Sequence, residues 1–198
     1  MKNLAIGIDE VGRGSLAGPV LVCAVAIPRN IIPKIAGSKT KLRDSKKLSA
    51  IQRERWFKYF TNHPQIFYTV ARVYPRKIEK INISRAANLA ALRAFKRLTR
   101  TYNLKPKTYQ VYLDGGLFLG NGKNRLPAQT IPKGDEKITA IKIASIIAKV
   151  KRDRQMGRSA NKYPRYGFEI HKGYGTKAHL AAIRKFGPSE IHRQTFLS

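Results

Sequence analysis

The chain has 198 residues, 42% of them hydrophobic, and carries 40 Lys and Arg against 11 Asp and Glu, a formal net charge of +29. That charge is far beyond what solubility requires and points to a polyanionic partner, while the apolar and aromatic content excludes a disordered basic tail. The one cysteine, Cys23, excludes an intrachain disulfide or a multi-thiolate zinc site and reads as a small buried core residue.

Leu4 to Asp9 reads as a short buried strand and Pro19 to Ile27 as a second, with the turn Gly12-Arg13-Gly14 between them, which suggests a hairpin. Ser49 to Phe60 reads as a helix capped by Ser49, and Ile66 to Tyr74 as a third strand rich in β-branched and aromatic residues. Ala87, Ala90 or Ala91, Ala94, Phe95 and Leu98 recur at helical spacing in a helix from Ser84 to Tyr102, whose basic residues form a solvated face. Tyr109 to Leu113 reads as a strand ending at Asp114, residues 117–127 as an exposed loop, and Ala128 to Ile131 as a short strand. Gly134-Asp135 then caps a long helix carrying Ile138, Ile141, Ser145, Ala148 and Arg152, with Asp153 near its end. A loop rich in Tyr, Gly and His precedes a last helix from Thr176 to Phe186, stopped by Gly187-Pro188. A meander followed by alternating helices and strands implies an α/β fold, a mixed sheet with helices on its faces. The chain reaches Asp9 with no room for a signal-peptide core, and its longest apolar run is too short to span a bilayer, so the expected location is cytoplasmic.

With so few acids, their placement is informative. Asp9 and Glu10 end one apolar strand and Asp114 ends another, each followed closely by glycine. Strand neighbours point to opposite faces, so Asp9 and Glu10 serve one site only if the backbone bends there. Clustered carboxylates repel unless a pKa rises or a cation binds, and hard oxygen ligands suit Mg²⁺ or Mn²⁺. Two such ions, about 3.5–4 Å apart, are suited to phosphodiester cleavage, so these acids on a strongly basic chain imply a nuclease. Plainer readings stand beside this one: Asp9-Glu10 as a turn pair, Asp114 as a turn former, and Asp153, amid Lys149, Lys151, Arg152 and Arg154, as an ion-paired helix residue. A non-catalytic nucleic-acid binder would carry the same charge, and only the acids separate the two classes.

The segment Gly7-Ile8-Asp9-Glu10-Val11-Gly12-Arg13-Gly14-Ser15-Leu16-Ala17-Gly18-Pro19-Val20 resembles the opening motif of bacterial ribonuclease HII. Matching blocks follow in order: Asp44-Ser45-Lys46-Lys47-Leu48, Asp114-Gly115, Lys133-Gly134-Asp135, Ala144 to Val150 running into Arg152-Asp153-Arg154, His171 to Thr176, and His192-Arg193. The resemblance covers essentially the whole chain. It implies a ribonuclease H-like fold over residues 1–198, with about 160–198 as a helical C-terminal region that contacts substrate. It implies a monomeric endonuclease that hydrolyses RNA in RNA/DNA hybrids and incises at single ribonucleotides in duplex DNA, leaving 3′-hydroxyl and 5′-phosphate ends, with Mg²⁺ or Mn²⁺, two ions during catalysis. Carried over by motif, the metal-site carboxylates are Asp9, Glu10, Asp114 and Asp153, the last on the resemblance alone. Gly12, Arg13 and Gly14 are implied to probe the ribose 2′-hydroxyl, Tyr174 to pack on the following deoxyribose, and Lys46 and Lys47 to meet phosphates. Gly116 stands where the family often has asparagine. Asp44 and Asp135 read more simply as turn and helix-cap residues. The four histidines are too scattered for a zinc motif and read as structural or phosphate-facing, with His171 nearest the site.

Overall fold

The computed structural model describes residues 3–38 and 40–197. Its sheet contains β1 (Leu4–Val11), β2 (Val20–Pro28), β3 (Phe67–Val73), β4 (Tyr109–Asp114) and β5 (Gln129–Ile131), in spatial order β3-β2-β1-β4-β5. β1 and β2 form the expected antiparallel hairpin, β3 adds antiparallel to β2, and β4 and β5 run parallel to β1 and to each other. The sheet is mixed, as the order of elements implied.

The central strands are apolar on both faces because both faces are covered. Ile6, Ile8, Val22, Ala24 and Leu113 meet the alanine stripe Ala87-Ala90-Ala91-Ala94 of α3 (Ile83–Thr101), small residues that let the helix lie close. Ala5, Leu21, Cys23 and Val25 on the other face meet Trp56 and Phe60 of α1 (Ala50–Asn62) and Ile143, Ala144 and Ile147 of α5 (Thr139–Lys162). A Cβ on Gly7 would lie 2.1 Å from the Ala140 carbonyl carbon, so only glycine lets the start of α5 rest on β1. Ser49 caps α1 with a complete capping box to Gln52.

Four local expectations change. A helix α2 (Pro75–Ile81) precedes α3; Asn82, at φ 63°, separates the two and its side chain caps α3 through the Arg85 amide. Residues 117–127 are not simply an exposed loop, since Leu117 and Leu119 are fully buried in the α3-side core. The long helix is broken at Ile138, whose extended backbone separates a short α4 (Gly134–Lys137) from α5. Asp153 lies well inside α5, which continues to Lys162. The C-terminal part adds α6 (Phe168–His171) and α7 (Lys177–Phe186), the latter capped by Thr176, around a satellite core of Ala17, Met156, Ala160 and Phe168.

Candidate active site

Parallel pairing of β1 with β4 ends at Ile8 and Leu113, so Asp9 and Asp114 follow directly at neighbouring strand ends. Carboxylate oxygens of Asp9, Glu10 and Asp114 all lie within 4.8 Å of one another. The expected bend at Asp9-Glu10 is not needed: both residues stay in the β1–β2 ladder, opposite Cys23 and Val22. Asp9 shares its face with Cys23 toward α5, and the longer Glu10 side chain, starting from the α3 face, reaches round the end of the sheet where β4 stops.

Each acid is held. Asp9 is buried and accepts the Glu10 amide at 2.7 Å, and Ser145 of α5, which shares a hydrogen bond with Ser45 at 2.8 Å, stands near enough to lower its pKa. Asp114 Oδ1 accepts the Gly134 amide at 2.7 Å and the Asp135 amide at 3.4 Å at the start of α4. The Arg13 guanidinium stands 3.6 Å from Glu10 and donates to Ser84 Oγ at 2.9 Å. Glu10 Oε2 is buried with no hydrogen-bond partner. Burial, then Glu10 and Asp114, raise the Asp9 carboxyl well above its usual 3.8; burial also raises Glu10, against the opposing pull of Arg13. The site thus gathers carboxylates that repel one another and that Arg13 offsets only at Glu10. An orphaned carboxylate oxygen and an all-oxygen donor set fit a hard divalent cation.

Asp153 is not among the carboxylates gathered within 4.8 Å. Asp153 Oδ1 is engaged by Lys149 Nζ at 2.9 Å, the ion-paired helix residue of its plainer reading. Ser145 marks the level of Asp9 on α5, and eight residues further along a helix is a displacement of about 12 Å. Asp135, read from sequence as a cap, is instead buried beside Asp114; burial first, then Asp114 and Asp44, raise its carboxyl. Its Lys133-Gly134-Asp135 motif was a usable signal, overridden because Gly-Asp before a helix so often caps. Lys46 reaches 3.9 Å from Asp135; burial lowers its pKa, but Asp135, Asp44, Asp9 and Asp114 together raise it. Lys47 pairs with Glu136 on the surface.

The loop after β1 is built around two fully buried arginines, neither of which has a carboxylate partner in an ion pair among the described residues. Arg193 donates to the carbonyls of Gly12 (2.7 Å), Arg13 (2.8 Å) and Gly18 (2.9 and 3.1 Å). Arg152 donates to the carbonyls of Pro19 (3.2 Å), Ala17 (3.1 Å) and Lys172 (2.9 Å) and to Ser15 Oγ (2.7 Å). Burial and the neighbouring Arg152 bring Arg193 down to about 9, which leaves it charged at neutral pH. Gly12, at φ 84°, has no room for a side chain, since a Cβ would lie 2.1 Å from Arg152 Nε. The sequence places Arg152 on the periodic stripe of its helix and Arg193 in a motif block, but neither is marked there as a clamp for carbonyls.

Tyr174 is half-buried, its ring 5.4 Å from the Arg152 guanidinium carbon and 5.9 Å from Lys149 Nζ. The turn carrying it is fixed by histidines rather than exposed to them. His192 Nδ1 takes the Ser189 amide, His192 and His179 share an Nε2 contact of 3.0 Å, and His179 Nδ1 meets the Tyr174 carbonyl at 2.9 Å. His171 stacks on His179 at 4.2 Å, with both its nitrogens bonded to backbone at Tyr166 and Gly173. His171 is therefore a structural residue under the turn. The Gly173 carbonyl in turn accepts the amides of Leu16 and Ala17, which ties this turn to the loop after β1.

Comparison with known proteins identifies the family and the fold. The family model for ribonuclease HII matches residues 6–198. The chain is 44% identical over 198 residues to the ribonuclease HII of Coxiella burnetii (strain RSA 493 / Nine Mile phase I), covering 98% of this chain and 89% of that protein. Among solved structures it is similar to the ribonuclease H2 from Pyrococcus horikoshii OT3, with TM-score 0.72 and 26% identity over 97% of this chain and 93% of that one. It shares the fold of Bst-RNase HIII in complex with Mn²⁺, with TM-score 0.70 and 19% identity over 99% of this chain and 65% of that one. The mixed sheet flanked by helices is thus a ribonuclease H-like fold. The chain belongs to the ribonuclease HII family and is an endoribonuclease.

Proposed function

We propose that this protein hydrolyses RNA in RNA/DNA hybrids and incises 5′ of single ribonucleotides embedded in duplex DNA, leaving 3′-hydroxyl and 5′-phosphate ends. The observation that carries the reading is the trio Asp9, Glu10 and Asp114, gathered within 4.8 Å with a buried Glu10 oxygen left without a partner. These three residues hold the Mg²⁺ or Mn²⁺, two ions during catalysis, and Asp135, rather than Asp153, is the fourth carboxylate. Bound divalent cations supply charge neutralisation at the scissile phosphate and acidify the attacking water. The chain's own residues do the rest. Arg13 and Ser84 fix the approach of Glu10, the α4 amides fix Asp114, and Lys46 stands over the acids where a phosphate would arrive.

Recognition follows from the buried arginines. In a trans peptide the carbonyl and the following N–H point in opposite directions. The carbonyls of Gly12 and Arg13 are turned inward onto Arg193, so the amides of Arg13 and Gly14 face outward. Two outward donors flanked by glycines suit close approach to a minor groove and to a ribose 2′-hydroxyl, which accepts as well as donates. Tyr174, held by the histidine turn beside this loop, supplies a flat surface for the next sugar. Residues 1–198 act as one catalytic unit, a cytoplasmic monomer whose region from about 160 contacts substrate. Among the described residues no helix is long and apolar enough to cross a membrane.

The test is incision of a duplex carrying one ribonucleotide, with Mg²⁺ or Mn²⁺ titrated. Asp114→Asn should abolish cutting and spare binding; intact substrate with the unaltered protein at every metal concentration, with binding preserved, would refute the reading. Tyr174→Ala should impair single-ribonucleotide substrates more than long hybrids, and equal losses would make Tyr174 merely structural.

A further inference from the structure

β3 is an edge strand, two strands from the carboxylates, or about 10 Å across the sheet. A groove runs between this edge and α3, lined by Arg72, Arg93, Lys96, Arg97 and Arg100, with Tyr74 at its end. Its floor is the β3 backbone from Val70 to Arg72, and Arg97 donates to the Val70 carbonyl at 3.3 Å. A second cleft continues past Tyr74 between Arg76, Lys77 and Lys80 of α2, and shares Arg72, Tyr74 and Arg93 with the first. No acid lines either cleft.

A basic helix face is ordinarily a solvated face, and cations beside an edge strand also guard it against pairing with another chain. Three observations exceed that. Every ion pair found among the described residues lies elsewhere, so these cations have no carboxylate in ion-pair contact, although Arg72 donates to Gln155 Oε1 at 2.8 Å. Arg93, Lys96, Arg97 and Arg100 stand at i, i+3, i+4 and i+7, where like charges on one helix face repel, a repulsion that a bound polyanion would remove. The stripe spans about 10 Å along the helix, room for two or three successive phosphates. Finally, Tyr74 is 56% exposed between these cations, a large aromatic with nothing stacked on it among the described residues.

A cationic track with an exposed aromatic at its end is the arrangement that binds single strands, phosphates on the charges and a base on the ring. We infer that the β3–α3 groove is a second nucleic-acid site, which takes the phosphodiester backbone of a single strand with a base stacked on Tyr74. It lies apart from the carboxylates and does not depend on how they act, so it stands or falls separately from the nuclease reading.

The experiment measures binding of the whole protein, in EDTA, to a labelled oligothymidylate of about 20 nucleotides by fluorescence anisotropy across a salt series. The compared variants are Arg93→Gln/Lys96→Gln/Arg100→Gln and Tyr74→Ala; Arg97 is kept because it bonds the strand. The triple variant should lower the slope of log K against log salt by about 2, at roughly 0.7 per lost phosphate contact. Tyr74→Ala should weaken binding about tenfold with the slope unchanged, as loss of one stacked base does. Both should cut a short hybrid with unchanged kcat/KM. The inference is overturned by an unchanged slope in the triple variant, by Tyr74→Ala weakening blunt duplex as much as single strand, or by a triple variant whose only change is self-association in light scattering.

Discussion

Replacing Asp9 by asparagine should make the metal-free protein more stable while removing its function. Two unit charges 4.8 Å apart repel by about 3.5 kcal/mol at an effective dielectric of 20, and Asp9 has two such neighbours, Glu10 and Asp114. Partial protonation and water reduce this, so a gain of about 2 kcal/mol is expected. Asparagine keeps an oxygen for the Glu10 amide, so the fold loses little. The sign follows from linkage. Because Asp9's carboxyl is raised in the folded state, its contribution favours folding at acid pH and is lost as pH rises from about 3.8 through the raised value, leaving a penalty at pH 7.5 that asparagine removes. The assay is thermal unfolding at pH 7.5 in EDTA and in saturating Mn²⁺. In EDTA the variant should melt about 4–8 °C higher, the shift that about 2 kcal/mol produces at this size. With metal at a hundredfold excess over Kd the original chain should gain about 2.7 kcal/mol and the variant almost none. A variant that is less stable than the original in EDTA, or that gains equally from Mn²⁺, would refute the reasoning.

Asp135→Asn should weaken Mn²⁺ binding, read by calorimetry, about tenfold or more, whereas Asp153→Asn should leave it within twofold; the reverse order would restore Asp153 to the site. Arg193→Met leaves the Arg13 and Gly18 carbonyls without its donors, at about 1–3 kcal/mol each, while Gly12 keeps Ser15 Oγ, so urea unfolding should show a loss of about 2–6 kcal/mol, and a loss below about 1 would mean that the loop does not depend on the guanidinium. Burial and His179 hold His192 down at about 4, so the unfolded chain binds the extra proton first: stability should fall as pH drops from about 6.5 toward 4 and then level off. The loss should be about 1–2 kcal/mol after solvent screening and be absent in His192→Gln, and a pH profile identical in the two proteins would count against it.

The parts of the fold legible in the sequence were those whose signal is local. Alternation and apolar runs gave all five strands, and Ser49 and Thr176 marked helix starts, because caps and periodicity are written within a few residues of where they act. Asp9, Glu10 and Asp114 were readable because strand-end acids are conspicuous in a chain that has so few. The missed features depend on distant partners. Leu117 and Leu119 sit in a segment of loop composition and are buried only because α3 crosses above them. Asp135 looks like a cap until β4 is known to end beside it, and Asp153 reads as a ligand only by motif, whereas the fold pairs it with Lys149. Arg152 and Arg193 resemble thirty-eight other basic residues, and nothing short of the tertiary structure reveals that their partners are carbonyls.

The buried guanidinium of Arg193 also imposes an order of events on biosynthesis. The carbonyls it holds lie 175 to 181 residues earlier in the chain. While the protein is still emerging from the ribosome, β1, β2 and later β4 can pair and bring the three carboxylates together. The Gly12–Gly18 loop, lacking its clamp, still has its carbonyls free to turn either way. The clamp on that loop is therefore among the last contacts the chain can make, closed only when residue 193 arrives.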